Sequence, residues 1–377
     1  MKNRTMRIGI LTLPLHTNYG GILQAYALQT VLERMGHEVT LLDRGWPPKV
    51  PLMTYFKHVM KDSVKKILGR SHQRWHWIFF QYGEILHERH FTIQFVNKYI
   101  HRKIQRNLYE IQEKDFDGFI VGSDQIWRPQ YYRPIENAYL NFTKGWNVKR
   151  VVYAASFGID EWEYNSEESY NCAELLQKFD SVSVRENTGT FLCKKYLHRE
   201  AKQVLDPTLL LTSYDYIKKL KITSIEKSKG DFLVYILDMT DEKQQIVNTI
   251  ARMYCLTPFY VNSKCDDKSY NVKARIQPPV ETWIRGFYDA KFVFTDSFHA
   301  CAFSLIFNKP FLVYGNKKRG LSRFYSLLSS LKLTNRLIGS LEEFTNCGLE
   351  DINWEKINNE VSKMRAESME YLIDSLK

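Results

Sequence analysis

Residues 291–310 read KFVFTDSFHACAFSLIFNKP, and their order of elements decides the fold. An apolar β-run at 292–294 stops at Thr295-Asp296-Ser297; a helical run follows with His299 on its first turn, and a second apolar run begins after Pro310. Strand, turn, helix, strand is the parallel α/β unit, whose ligand sites lie at the carboxyl ends of the strands. A helix start there offers unpaired N–H groups and a positive dipole end, which suits an anion. His299 stands at that opening, with Ser297 placed to cap the helix and Asp296 placed to orient the ring.

The same rhythm extends in both directions. At the start, residues 7–13 (RIGILTL) form a buried-strand pattern. A helix over 22–35 carries Ile22, Ala25, Leu28, Val31 and Leu32 on one face, and residues 37–43 give the next strand. This β–α–β opening implies a parallel sheet. Further strands are expected at 117–121, 149–155 and 181–184, with a helix at 172–179 and an apolar run at 203–211. Residues 213–230 are polar and lysine-rich and read as a linker. A strand at 231–237, a helix at 243–253, a strand at 258–261 and a helix near 281–288 then restart the pattern. A terminal helix spans 352–376. The expected architecture is α/β: two parallel-sheet domains facing a cleft, over 1–212 and 213–345, and a helical segment over 346–377.

At 377 residues, 44% apolar and 25% charged, the chain has the composition of a globular protein with ample core. Residues 8–15 follow a basic start but are short, hold Gly9, Thr12 and Pro14, and lead into a patterned helix, so they read as a strand rather than a signal peptide. No apolar run approaches the roughly 20 residues of a membrane span. The six cysteines show neither CxxC nor metal-ligand spacing, which points to reduced thiols in the cytoplasm. The net charge of +11 is concentrated: residues 57–106 hold eleven Lys/Arg against Asp62, Glu84 and Glu88. Within this insertion-like stretch (about 50–110), Lys57, Lys61, Lys65, Arg70 and Arg74 recur at near-helical spacing. Such a face is either solvated or able to lie on an anionic membrane surface; no nucleic-acid motif accompanies it.

Several residues could carry chemistry. The loop His16-Thr17-Asn18-Tyr19-Gly20-Gly21 joins the first strand to its helix, and its glycines permit close backbone approach to a ligand or simply a tight turn. It is not GxGxxG, which disfavours a nicotinamide cofactor. Gly122-Ser123-Asp124-Gln125-Ile126-Trp127 closes another strand, with polar groups and a ring suited to sugar hydroxyls and a sugar face; a capped start over a buried tryptophan is the plain alternative. Arg185, at the end of SVSVR, suits a bidentate grip on carboxylate or phosphate, or an ordinary salt bridge. Asp206-Pro207-Thr208 reads as a structural cap. Lys317-Lys318-Arg319-Gly320 and Arg323 either complete a phosphate site or form a solvated loop.

Taken in order, Asn18-Tyr19-Gly20, the QAYALQ helix at 24–29, GSDQIW at 122–127, Ser183-Val184-Arg185-Glu186 and Asp296-Ser297-Phe298-His299 resemble the polysaccharide pyruvyl transferase family, from about residue 7 to residue 325. The resemblance implies a GT-B-like fold of two Rossmann-type domains and transfer of pyruvate from phosphoenolpyruvate to a sugar. It further implies that Arg185 matches a donor-binding arginine and His299 a catalytic histidine, with Phe298 beside the donor. Two positions depart from the family pattern: Ser297 stands where an arginine is often found, and Glu186 where aspartate is commoner.

The expectation is a cytoplasmic transferase, peripheral to the inner membrane face if the basic stretch binds there. It ketalises a hexose of a surface polysaccharide or its lipid-linked precursor, with no cofactor or metal. Arg185 and His299 are the catalytic candidates. Phe298, Ser297, Asp296, Arg323 and Lys317 would serve the donor on the C-terminal side. Asn18, Tyr19, Gly20, Asp124, Gln125 and Trp127 would serve the acceptor on the N-terminal side. A nucleotide-sugar glycosyltransferase and a non-catalytic carbohydrate-binding protein on the same scaffold are the alternatives.

Overall fold

The computed structural model describes residues 5–45, 87–263, 269–316 and 320–377. The basic positions from Lys57 to Arg74, and Lys317, lie outside the described residues. In the first half, β1 (Arg7–Leu11), β2 (Glu38–Asp43), β3 (Arg102–Ile104), β4 (Gly118–Val121) and β5 (Lys149–Val152) form one sheet in the order β3-β2-β1-β4-β5. Every pairing in it is parallel. A short parallel pair, β6 (Ser183–Val184) and β7 (Lys202–Gln203), continues it through bridges at Val151–Ser181 and Ala155–Val184. The chain reverses its direction of growth between β1 and β4, the switch point at which such sheets bind ligands.

Helices α1 (Tyr19–Arg34), α2 (His90–Tyr99), α3 (Ser166–Leu176) and α4 (Asn187–Leu197) accompany this sheet. Asn18 caps α1 by accepting from the Gly21 N–H, which starts the helix three residues earlier than its apolar spacing indicates. All but three of its sixteen residues are buried, so α1 is a core helix wedged between two layers. Helix α3 begins at Ser166 rather than 172 because Asn165 and Glu168 form a reciprocal capping box. Strand β5 ends at Val152, short of 155, where the chain turns and Ala154 takes a left-handed φ of 51°.

The second half starts inside the expected linker. Thr212 and Asp215 form a capping box for α5 (Ser213–Lys219), while Tyr216 and Ile222 are wholly buried. Lysines occupy only the outer face of this segment, which is why its composition misleads. There follow β8 (Phe232–Tyr235), α6 (Asp241–Met253), β9 (Pro258–Tyr260), α7 (Val272–Arg275), α8 (Val280–Asp289) and β10 (Phe292–Thr295). After these come α9 (Phe298–Ile306), β11 (Phe311–Tyr314), α10 (Ser322–Ser330), β12 (Leu337–Ile338), α11 (Leu341–Asn346) and α12 (Trp354–Ser375). The second sheet is also parallel, in the order β12-β11-β10-β8-β9, with its switch point between β8 and β10.

One apolar core joins the halves, running from Ile8 and Leu28 to Trp283, Phe303 and Phe311. The Tyr19 ring stacks on Trp283 at 5.4 Å and its hydroxyl donates to the Pro278 carbonyl at 2.8 Å. Helix α12 returns to the first half, where the Ser368 hydroxyl accepts from the Leu205 N–H at 3.0 Å and the Tyr371 hydroxyl donates to the Val152 carbonyl at 3.1 Å. Two Rossmann-type sheets with a C-terminal helix crossing back constitute a GT-B-like fold. No helix among the described residues is long and apolar enough to cross a membrane.

Candidate functional site

The carboxyl ends of the two sheets meet around Asp206, which follows β7. Its Oδ1 accepts from the Thr208 N–H at 3.0 Å and the Thr208 hydroxyl at 2.7 Å, so it caps the next turn as the sequence indicates. Its Oδ2 does something the sequence does not indicate. It accepts from Arg185 Nη1 at 2.6 Å and from the Ser123 hydroxyl at 3.3 Å, and lies 3.6 Å from His299 Nε2. The second nitrogen of the Arg185 fork, Nη2, donates to Asp124 Oδ1 at 3.3 Å. Residues 124, 185 and 206 come from the first half and His299 from the start of α9 in the second. The cluster is therefore assembled only when the halves pack together.

Local geometry explains how these groups come so close. Asp124 sits at a left-handed φ of 66°, and its carboxylate meets Arg185 Nη2 at 3.3 Å. The His299 ring lies directly on α1: a Cβ at Gly20 would fall 2.0 Å from its Nδ1. Only glycine allows that approach. Gly320 meets the first half in the same way, since a Cβ there would fall 1.7 Å from the Gly158 carbonyl oxygen.

Charge is concentrated and dry. Burial alone would raise the Asp206 carboxyl, but His299, Arg185 and Thr208 outweigh it and hold the group well below the usual carboxylate range. At 3.6 Å the His299 contribution is charge attraction rather than a hydrogen bond. Asp124 is likewise lowered, burial being outweighed by Arg185, His299 and Arg323. Burial opposes the charge on Arg185, yet Asp206, Asp124 and Glu186 raise its pKa on balance. Arg323 differs: burial and repulsion from Arg185 lower it to about 10. Phe298 lies against both cations, with the Arg185 and Arg323 guanidinium carbons 4.6 Å and 5.7 Å from its ring centroid.

A cavity of about 280 Å³ opens onto this cluster. Arg185, Asp206, Phe298 and Arg323 line one side of it, and Ser326 of α10 with Lys363 and Glu367 of α12 line another. His299 is not part of that lining and is only 6% exposed. Its link to the cavity is Asp206. Among the described residues no group of three His, Cys, Asp or Glu side chains is placed to hold a metal ion.

The expected site residues divide accordingly. Arg185, His299, Phe298, Arg323 and Asp124 converge, with Gly20 beneath the ring. Asp296 does not orient His299: its oxygens accept from the Leu237 and Asp238 N–H groups and from Lys243 Nζ at 2.8 Å. The carboxylate that stands beside His299 is instead that of Asp206, 3.6 Å from Nε2. Ser297 occupies the N-cap position of α9 but makes no side-chain cap, and its N–H donates to Thr295 Oγ1. Asn18 is spent as the cap of α1, and Tyr19 is wholly buried against Trp283. Trp127 is also wholly buried, stacked on Tyr139 at 4.9 Å with its Nε1 donating to the Ala138 carbonyl, so neither ring can present a face to a sugar. Gln125 is half-buried and packs on Gly158. Glu186, in place of the commoner aspartate, accepts from the Ser156 hydroxyl and the Phe157 N–H and so braces the loop after β5.

Comparison with known proteins bears on this arrangement. The model of the polysaccharide pyruvyl transferase family matches residues 18–318. No curated protein matches the chain. Among solved structures it is similar to UDP-GlcNAc 2-epimerase from Neisseria meningitidis bound to UDP-GlcNAc, at 10% identity, 98% of this chain, 99% of that one and a TM-score of 0.47. It is also similar to S. aureus MnaA in a co-structure with UDP, at 13% identity, 95% and 91% coverage and a TM-score of 0.48. A third likeness is to an alpha-glucosyltransferase in complex with UDP, at 9% identity, 99% and 95% coverage and a TM-score of 0.45. These distant likenesses carry no part of the argument. The family match takes in strands β2–β11 and every member of the Asp206 cluster except Arg323; the chain belongs to the polysaccharide pyruvyl transferase family.

Proposed function

We propose that the chain transfers the pyruvyl unit of phosphoenolpyruvate to two hydroxyls of a sugar, forming a cyclic ketal and releasing phosphate. The observation that carries this reading is the small cavity lined by two buried guanidinium groups, Arg185 and Arg323, with Asp206 standing between Arg185 and His299. Arg323 holds its proton less firmly than usual because of burial and of Arg185 beside it. A bound anion opposes both effects, and a donor carrying a carboxylate and a phosphate supplies the charge.

In the reaction a proton adds to the methylene carbon of phosphoenolpyruvate, and one sugar hydroxyl attacks the adjoining carbon. The C–O bond to phosphate then breaks, and a second hydroxyl closes the ketal. One hydroxyl proton ends on the new methyl group and the other on phosphate, so nothing further is consumed. His299 is the proposed source of the proton, a role typically worth roughly 10²–10⁴-fold; because it stands behind the cavity lining, it reaches the donor through Asp206, whose Oδ2 lies 3.6 Å from its Nε2. Arg185 and Arg323 stabilise the departing phosphate. Asp206 holds the Arg185 guanidinium and places a negative charge beside the His299 ring. The same reading places the reaction in the cytoplasm, where phosphoenolpyruvate is made; contact of the basic stretch with an anionic membrane belongs to this proposal too.

One feature disfavours the nucleotide-sugar alternative. The switch-point crevice of the second sheet, between β8 and β10, is filled by the buried Lys243–Asp296 pair. Thermal-shift titration separates the readings: phosphoenolpyruvate protects the chain and UDP-hexoses do not. Protection by a UDP-hexose alone would overturn the proposal.

A further inference from the structure

A second and larger cavity, of about 420 Å³, lies on the first half, and none of its lining residues belongs to the Asp206 cluster. Its walls are the turns at Leu108–Glu110, Ile135–Tyr139 and Asn141–Thr143, together with the outer face of α3. Two tyrosines dominate it: Tyr109 is 60% and Tyr170 68% exposed. Tyr109 is fixed in place, since its hydroxyl donates to Asn137 Oδ1 at 3.3 Å and accepts from Asn141 Nδ2 at 3.1 Å. On the facing helix, Tyr170 and Asn171 make no side-chain hydrogen bond or ion pair among the described residues.

Charge narrows the ligand class. The lining holds Glu136 and Glu174 against Lys144 and Lys178, a balanced set on a chain whose net charge is +11. An anion site would carry a cationic surplus, so this cavity does not select for charge. It offers flat apolar rings, amides that both donate and accept, and carboxylates that only accept. That combination matches a pyranose, which has one apolar face and a rim of hydroxyls. The volume lies within the roughly 300–1,000 Å³ of small-molecule sites.

The geometry points to a saccharide-binding subsite for neutral hexose units of a glycan, stacked on Tyr170 and Tyr109 and hydrogen-bonded by Asn171 and Asn141. The inference rests on the reading that the chain acts on a glycan, and adds a second place where that glycan is held. The wall turn is tied to the first site, because Tyr139 stacks on Trp127, three residues beyond Asp124.

The test is a glycan array of neutral glucan, galactan and mannan oligosaccharides beside sulfated and uronic-acid ones, probed with the full chain and no phosphoenolpyruvate. Retention on neutral oligosaccharides, lowered at least tenfold by Tyr170→Ala and by Asn171→Ala, is the expected result. Both side chains project from the outer face of a capped helix, so the melting temperature should stay unchanged. Retention that both variants keep, retention on acidic glycans only, or no retention at all overturns the inference. Phosphate release from phosphoenolpyruvate is measured separately. Retention that depends on Tyr170 without phosphate release sinks the transfer reading while supporting the subsite.

Discussion

Asp206→Asn isolates the charge that links the two halves. The substitution is isosteric, and Oδ1 can still accept from Thr208 at 3.0 Å. What disappears is the negative charge 2.6 Å from Arg185 Nη1 and 3.6 Å from His299 Nε2. Asp124 then remains as the salt-bridge partner of Arg185, at 3.3 Å. Removing one partner of a buried ion pair costs about 3–5 kcal/mol. Unfolding entropy near ~2.1 cal/mol/K per residue over 377 residues is about 0.8 kcal/mol/K, so the melting temperature should fall by about 4–6 °C at pH 7. A site that has lost an anion should also gain affinity for one. Saturating phosphoenolpyruvate should therefore raise the melting temperature of the variant by more than that of the wild type. A ligand at 100 times its Kd contributes ~2.7 kcal/mol, or about 3 °C on the same scale. Calorimetric melting of both proteins, with and without ligand, is the assay. A variant that melts within about 1 °C of the wild type, or one that no anion restores, would refute the claim that Asp206 is the counter-charge of this cluster.

Gly20→Ala places a methyl 2.0 Å from His299 Nδ1 and must displace the ring; phosphate release should drop about 10²–10⁴-fold, as for loss of a proton donor, and near-normal turnover would show that the ring position is not critical. Trp127→Ala should cost about 3–5 kcal/mol in stability and leave the preference among acceptor sugars unchanged, as measured by melting and by competition between sugars; a changed preference would return Trp127 to the acceptor site. Acid dependence follows from the lowered Asp206 and Asp124 groups. Their folded pKa lies below the unfolded value of about 3.9. The stability they contribute is thus complete above that value and lost as pH falls through the folded one. The gap in melting temperature between wild type and Asp206→Asn should be full at pH 6–7 and narrow below about pH 4; a gap unchanged at pH 3 would contradict the assignment.

Periodicity carried most of both sheets because strands such as β4, β8 and β10 are buried along their length, whereas the short β3, β7 and β12 show no such pattern. The His299 unit was legible for the same reason, as was the placing of Arg185 at a strand end. Direction was not legible. Trp127 and Tyr19 have the composition of sugar-stacking rings but point inward, and nothing local to GSDQIW or NYGG tells which side of the turn the ring will take. Asp296 lies three residues from His299, yet its carboxylate turns to Lys243, 53 positions away. Asp206 was hidden by its own cap: Asp-Pro-Thr explains itself locally, while its partners at 124, 185 and 299 are distant in sequence. One signal was available, since Asp206 follows a strand at the carboxyl edge of a parallel sheet, where ligand sites collect. The lysines of α5 misled for a related reason, because composition averages over two faces that the helix separates.

The central claim is that one cavity, assembled from both halves, turns phosphoenolpyruvate into a sugar ketal and phosphate. Its most direct test is product stoichiometry, with phosphate measured by colorimetry and ketal by the proton resonance of its methyl group, for wild type and His299→Ala with a panel of hexose acceptors. The account predicts one phosphate released for each ketal formed by the wild type, and neither product from the variant at equal melting temperature. Turnover of a UDP-hexose in place of phosphoenolpyruvate, or undiminished phosphate release by His299→Ala, would contradict it.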